Sequence, residues 1–478
     1  MDLTQRRQFR WARILSLLLL MALGCEVTNA QATKPLIEPL SLEDALNYAQ
    51  QNYPEVRAAL AELSAAHSGI GLARTSYLPR ADLLWQGNRA TRNNISGLLF
   101  PQPVISSVSG PVLPFTSNDS VWGSAAGLLF SWEPFDFGRR RAEVNAARAG
   151  ESVAQGQLSA TRLDVALAVA NAFFTVAAAQ QRLAAAQADV DRRQVFANSV
   201  HVLVKNDLRP GADASRADAE LAHAQVVLIQ AQQAEAISRV ALAEVLGIAG
   251  TDVQIKAGAL LSNPPESNPV APALSEHPFA AIEQTKVNQI RAQEHVLDRA
   301  YFPRFDLQST IYGRGSGANS DGTIQTGASG LGLDRTNWGA GLTVTFPILD
   351  VFSVHAQKQI AELNERAERA RYEQTLDNLT GEVQKAQATL DGARLVAAKT
   401  PIELQAARDA ETQARARYEA GLANIVEVAD AQGLLAQAQT DDALAHLAVW
   451  NDLASLAAAQ GDLRPFIQLI QQTTPGGK

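Results

Sequence analysis

The chain contains itself twice. Tyr53-Pro54 is echoed by His277-Pro278, and Tyr77-Leu78-Pro79-Arg80 by Tyr301-Phe302-Pro303-Arg304, both 224 residues apart. Further on, Asp136 matches Asp350, Asn206-Asp207-Leu208 matches Ala420-Gly421-Leu422, and Asp213 falls on Glu427, now 214 residues apart. An ordered series with one change of offset is a duplication carrying ten extra residues in its first copy. The polar loop from Thr91 to Asp119 is where they fit. The copies span residues 33–261 and 273–463. Between them, residues 262–272 hold Pro264, Pro265, Pro269 and Pro272 and read as an extended linker. Residues 464–478 are left as a C-terminal tail.

Each copy repeats one order: a helix, two strands around a polar loop, a very long helix, a tight turn and a further helix. Ser41 with Asp44 makes a capping box for the first helix, and Pro54 suits the first turn of the next. The long helices should run from Arg139 to Lys205 and from Val354 to Ala420, each about 100 Å at 1.5 Å per residue. Leu379, Val383, Ala386, Leu390, Ala393 and Ala397 recur at three–four spacing, the seam of a coiled coil. Alanine seams bury little area per residue, so such helices need neighbours along their whole length. Pro401 should kink the second long helix, because it removes a donor and clashes with the preceding turn.

The strands alternate. Trp122, Ser124, Ala126, Leu128, Phe130 and Trp132 share one face, as do Trp338, Ala340, Leu342, Val344 and Phe346, and Phe305, Leu307, Ser309 and Ile311. The segment from Ala81 to Ala90 alternates poorly. Strands of about ten residues, apolar on one side, polar or small on the other and aromatic at the ends, are the signature of an outer-membrane barrel. Four ordinary amphipathic strands in a soluble sheet would look alike one at a time. An export signal tips the balance: Arg6, Arg7, Arg10 and Arg13 precede the apolar run Ile14 to Leu23, and small residues offer cleavage near Ala30 or Ala32 within a signal peptide of residues 1–32. Leu23-Gly24-Cys25 offers the alternative of a lipoprotein with Cys25 acylated.

Composition removes other classes. With 1 Cys, disulfide scaffolds and Cys-rich metal centres are excluded, and a net charge of −8 argues against sequence-independent nucleic-acid binding. A mean hydropathy of −0.08 does not fit a chain with many membrane helices. The seven His form no H-E-x-x-H pattern, and His67, His223, His295 and His446 lie in Ala-rich helical segments. No P-loop or G-x-S-x-G elbow is present, so no enzyme and no cofactor is expected. Gly313-Arg-Gly-Ser-Gly-Ala318 superficially fits a dinucleotide fingerprint, but Asn319-Ser-Asp-Gly322 follows instead of a helix, so an extracellular loop is expected there.

Four strands cannot close a membrane barrel, for which about eight is the smallest number, and open sheet edges are not tolerated in lipid. The chain must therefore associate. At this point the Tyr-x-Pro-Arg elements, Pro134 and Pro347 before an Asp, and Tyr418-Glu-Ala-Gly421 together resemble the TolC-type outer-membrane factor family over essentially the whole mature chain. The resemblance implies a mainly α protomer with a β-barrel portion. It implies a homotrimer with a twelve-stranded barrel in outer-membrane lipid, continued by a periplasmic α-helical barrel. It implies a passive exit duct of a tripartite efflux pump or type I secretion system, with a periplasmic adaptor and an inner-membrane transporter as partners. Trp122, Leu128, Phe130, Trp132, Trp338, Leu342, Val344 and Phe346 would then face lipid or form the aromatic girdle.

The family places the turn after each long helix at a narrow periplasmic tip, with a Gly followed six residues later by an Asp. The second copy keeps Gly421 but has Glu427; the first keeps Asp213 but has Asp207 for Gly, with Gly211 later in the turn. Three-fold symmetry would make Asp213 and Glu427 rings of carboxylate, which favour cations at a constriction. Each could equally be a first-turn acid favoured by the helix dipole. Leu208, Gly211, Gly421, Leu422, Ile425 and Val426 are the tip residues expected at the adaptor contact, or in local turn packing. The competing function is a periplasmic coiled-coil adaptor or scaffold without a pore.

Overall fold

The computed structural model describes residues 39–94, 99–105, 112–269, 273–319 and 321–473. The export signal with Cys25, Ala30 and Ala32, part of the linker and the last five residues lie outside them. Thirteen elements follow in order: α1 Leu42–Asn52, α2 Pro54–Thr75, β1 Arg80–Thr91, β2 Ser120–Phe135, α3 Arg139–Lys205, α4 Gly211–Val245, α5 Pro278–Arg299, β3 Arg304–Ser316, β4 Arg335–Thr345, α6 Asp350–Ala397, α7 Thr400–Glu419, α8 Ile425–Ala459 and α9 Arg464–Thr473. In both copies helix precedes a strand pair, and helices separated by the tip turn follow it, but in the second copy α6 and α7 stand where one long helix is expected.

Local chemistry sets the boundaries. Ser41 Oγ accepts from the Asp44 amide at 3.2 Å while the Asp44 carboxylate accepts from the Ser41 amide at 3.2 Å, so the capping box is complete. Pro54 and Pro278 both sit in the first turn of their helices, where a missing donor costs nothing. The helix ahead of Pro401 does more than kink. It stops at Ala397 and a new helix starts at Thr400, with Pro401 in its first turn. Thr400 Oγ1 holds the break by donating to Asp442 of α8 at 3.0 Å. Leu379 and Leu390 of the expected seam are buried, and Val383, Ala386, Ala393 and Ala397 are half-buried.

Alanine seams can slide, so the register of the long helices is fixed by polar contacts. Arg193 of α3, only 6% exposed, donates to Asp189 at 2.8 Å and to Glu220 of α4 at 2.9 Å. Arg192 reaches Gln439 of α8 at 2.9 Å. Removing one partner of such a pair strands a buried charge, which is why it pins one alignment. Where the middle of α3 meets the end of α8 sits an apolar core, in which Phe173, Leu158, Trp450, Leu453 and Phe466 are fully or nearly fully buried. Phe466 belongs to α9, so part of the segment read as a tail is a helix packed on this core. Trp450 donates to the Ser262 carbonyl at 3.2 Å, and Arg394 to that of Pro265 at 3.4 Å, fastening the described part of the linker to α8 and α6.

The four strands form one antiparallel sheet in the order β1-β2-β3-β4, so the two hairpins meet at the β2–β3 pairing. Register aligns Leu83, Leu128, Ile311 and Trp338 in a single row, all 42% exposed or more. Trp122, Phe130, Trp132, Leu342, Val344 and Phe346 are exposed too. The paired ones among them fall on the same face as that row, since the side-chain period of a strand is two. Asp82, Gln86, Asp306, Gln308 and Thr343 take the opposite face. Residues 313–316 finish β3, a correction to their reading as loop, because their ladder with β4 continues to Arg314–Arg335. Between β1 and β2 lie 28 residues, against 18 between β3 and β4, which locates the ten-residue insertion.

Candidate functional site at the helical tip

Far from the sheet, α3 turns into α4 and α7 turns into α8. Both turns use one backbone device. Asp207 takes φ 58° and Gly421 φ 78°, each a left-handed residue just past the helix end. The amide of the residue after it reaches back five residues, Leu208 to the Leu203 carbonyl at 2.9 Å and Leu422 to that of Arg417 at 2.8 Å. This is the Schellman closure, which satisfies carbonyls the helix leaves open. Asp207 is among the few non-glycine residue types that tolerate this conformation, so the missing glycine leaves the turn intact.

The turns interlock through side chains. Tyr418, on the last turn of α7, is fully buried against Phe196 at a ring separation of 5.5 Å. Its hydroxyl donates to Asp213 Oδ2 of α4 at 2.9 Å. Arg209 lies over its ring at 4.2 Å and donates to its carbonyl oxygen. Burial pushes the Tyr418 phenol up to about 12, and the hydrogen bond and negative charge of Asp213 act in the same direction, with Arg209 opposing them. Around the ring pack Ala197, Val200, Ala214, Ala217, Ala423, Ile425 and Val428. The tip is thus a small closed core made from both copies.

Asp213 and Glu427 have different company. Pro210 precedes α4 and supplies no side-chain cap, which leaves the Asp213 carboxylate for Tyr418. Asn424 caps α8 by accepting from the Glu427 amide at 3.0 Å, and the Glu427 carboxylate stands in solvent 3.9 Å from Arg417. Leu208, Leu422 and Val426 are exposed, at 67%, 71% and 39%, and Gly211 and Gly421 lie bare beside them. Of the two readings of Ile425, contact surface or turn packing, its burial selects the second: it is 6% exposed and sits inside the tip core. Arg209 was not singled out from the sequence. Its counterpart in the second copy is Ala423, so the duplication gives it no echo, whereas Tyr418 against Val204 marks a difference the alignment of the copies exposes.

Proteins already known resemble the chain in sequence and in fold. It is 27% identical over 450 residues to protein CyaE of Bordetella pertussis, covering 89% of this chain and 85% of that one. It is 26% identical over 411 residues to the cobalt-zinc-cadmium resistance protein CzcC of Cupriavidus metallidurans, covering 84% and 85%. The fold is that of the CusC transmembrane channel, with a TM-score of 0.71 at 18% identity over 92% of this chain and 96% of that one. The Campylobacter jejuni CmeC outer membrane channel matches with a TM-score of 0.70 at 17% identity over 95% and 94%. Residues 45–248 and 273–462 match the outer membrane efflux protein family, one segment per copy. With its duplicated helices, its four-stranded apolar-faced sheet and this two-segment match, the chain belongs to the outer membrane efflux protein family and is an outer-membrane exit channel with its helical part in the periplasm.

Proposed function

We propose that three copies close one twelve-stranded barrel and that the periplasmic end opens when an adaptor engages the tip, joining the duct to an inner-membrane transporter. The sheet supports the first part. Among the described residues its edges β1 and β4 pair with no further strand, and hydrocarbon does not tolerate the open backbone groups that a neighbouring copy would satisfy. Its apolar face supplies a lipid belt in which Leu128 and Val344 stand exposed. Arginine at either position costs about 2–4 kcal/mol near mid-bilayer. Leu128→Arg and Val344→Arg should therefore lower the yield of heat-stable trimer in outer-membrane fractions, and normal yield from both would overturn the lipid-facing assignment.

The observation that carries the gating part is the Tyr418–Asp213 hydrogen bond between the two hairpins. Opening requires α7 and α8 to part from α3 and α4, and this contact, with Arg209 over the ring, opposes it. Exposed Leu208, Leu422 and Val426 form the apolar surface an adaptor would cover. Asp213 and Glu427, repeated three times around the axis, would give the aperture a preference for cations. The protein supplies no bond chemistry in this reading; cargo passes through a duct. Planar-bilayer recordings test it. Asp213→Ala with Glu427→Ala should raise the resting conductance and lower the cation-over-anion permeability ratio, whereas unchanged conductance and selectivity would remove both acids from the aperture.

A further inference from the structure

The connection that carries the ten extra residues of the first copy has a described stretch, residues 99–105, with a place in the fold that the exit-channel reading does not use. Residues 99–105 leave the β1–β2 connection and lie on the polar face of the sheet, opposite the lipid row. Val104 and Ile105 are 5% and 2% exposed and pack with Ala125, Leu84, Leu99, Leu129 and Tyr312. By register these wall residues share the side that carries Asp82, Gln86, Asp306 and Gln308. They form a dry island on an otherwise polar wall, and they account for the poor alternation of β1 at Leu83-Leu84. The segment is also pinned by hydrogen bonds. Gln102 Oε1 accepts from the Val104 and Ile105 amides at 2.6 and 2.7 Å, Gln102 Nε2 donates to the Ile105 carbonyl at 2.6 Å, and Thr310 Oγ1 of the wall donates to that of Val104 at 3.2 Å. The shorter β3–β4 connection goes the other way. Gly332 accepts from Ser124 Oγ at 3.0 Å on the lipid-row side, where a Cβ on Gly315 would meet the Gly332 carbonyl.

Dimensions decide what such a segment does. Twelve strands about 4.8 Å apart and tilted by roughly 40° close a barrel of about 12 Å radius. Three copies of residues 99–105, one per protomer and set at mid-strand, each project from the wall into this lumen and narrow it well below the barrel's own radius. We propose that this segment is an internal strap that sets the bore of the barrel and bars bulky solutes arriving from outside the cell, in series with the periplasmic tip. Among the described residues, one small apolar cluster and one side-chain bond to the wall hold it, so cargo pushed from the tip displaces it outward. The inference rests on the exit-channel reading.

Thr343→Cys provides the test. Thr343 is exposed on the lumen side of β4, paired with Asp306, deeper toward the helices than Thr310, the strap's anchor on β3. Intact cells receive either a small maleimide dye or a long poly(ethylene glycol) maleimide, and the unsubstituted chain gives the background. The dye should reach Cys at this position in the parent protein while the polymer does not. Val104→Ser with Ile105→Ser, and separately a Gly-Ser replacement of residues 99–105, should raise the rate of polymer labelling by about tenfold or more. Equal polymer rates with and without the strap, with the dye reacting normally, would overturn the strap. So would loss of trimer from both variants, since the segment would then be part of the wall. Failure of even the small dye to react would instead overturn the open path from outside, and the exit-channel reading with it.

Discussion

At the first tip the left-handed position is held by Asp207 and the helix that follows starts on Pro210 without a side-chain cap; at the second, Gly421 holds it and Asn424 caps the next helix. The backbone paths are alike. The chemistry is not, and the difference has a direction: the first copy supplies Arg209 and Asp213, and the second supplies the Tyr418 they grip. Two identical hairpins could only meet as equals. Divergence after duplication made one a clasp and the other its pin, which gives the tip a contact that must break when the hairpins separate.

The largest effect expected from breaking this asymmetry is at Tyr418. Tyr418→Ala should cost about 3–5 kcal/mol, as for a buried aromatic, and abolish amide-exchange protection through residues 206–215. Val204→Ala, the matching change in the first copy, should leave that protection nearly intact because Val204 is only half-buried. Tyr418→Phe isolates the hydroxyl, with a loss of about 1–3 kcal/mol. Its pH dependence follows from the raised phenol. A group whose pKa rises from 10.0 when unfolded to about 12 when folded contributes stability that is whole below pH 10 and lost as pH climbs through 12. The gap between Tyr418 and Tyr418→Phe in tip exchange rates should therefore be flat below pH 10 and close between 10 and 12; a gap that widened there would contradict the bond to Asp213.

A smaller pair of changes tests the backbone. Gly421→Ala places a Cβ in the left-handed region and should destabilise the second tip by about 1–2 kcal/mol, while Asp207→Gly should relieve a cost of that order at the first. Shifts of the same sign in local exchange would mean that the turns are not equivalent. The smallest effect is expected at Asn424, where Asn424→Ala should cost about 1 kcal/mol in the stability of the first turn of α8, with no counterpart at Pro210. Exchange at the Glu427 amide reads this directly, since that amide donates to Asn424.

Sequence alone carried most of the helices, the strands and their duplication, because each rests on periodicity or on a local signal. The full break before Pro401, helix α9 and the end of β3 were decided by the structure. Ser41 with Asp44, Pro54, Pro401 and the alternation around Leu128 act within a few residues of themselves, and such signals are legible in a string. The positions of Asp213 and Tyr418 were legible as well, one as a tip acid and the other inside the Tyr418-Glu-Ala-Gly421 element. Their contact was not. It joins residues 205 apart, and no spacing rule links a phenol on one hairpin to a carboxylate on the other. Arg209 was silent because its twin is alanine, and the choice between contact surface and turn packing for Ile425 stayed open because exposure in a turn depends on what the other hairpin covers. The ten-residue insertion shows the same division. Counting located it between β1 and β2, but an insertion has no preferred side of a sheet until the wall offers it Leu84, Leu129 and Tyr312. Local order is written in sequence because the forces that set it act over one helical turn or one strand pair; what grips what across the molecule was decided only when the chain closed on itself.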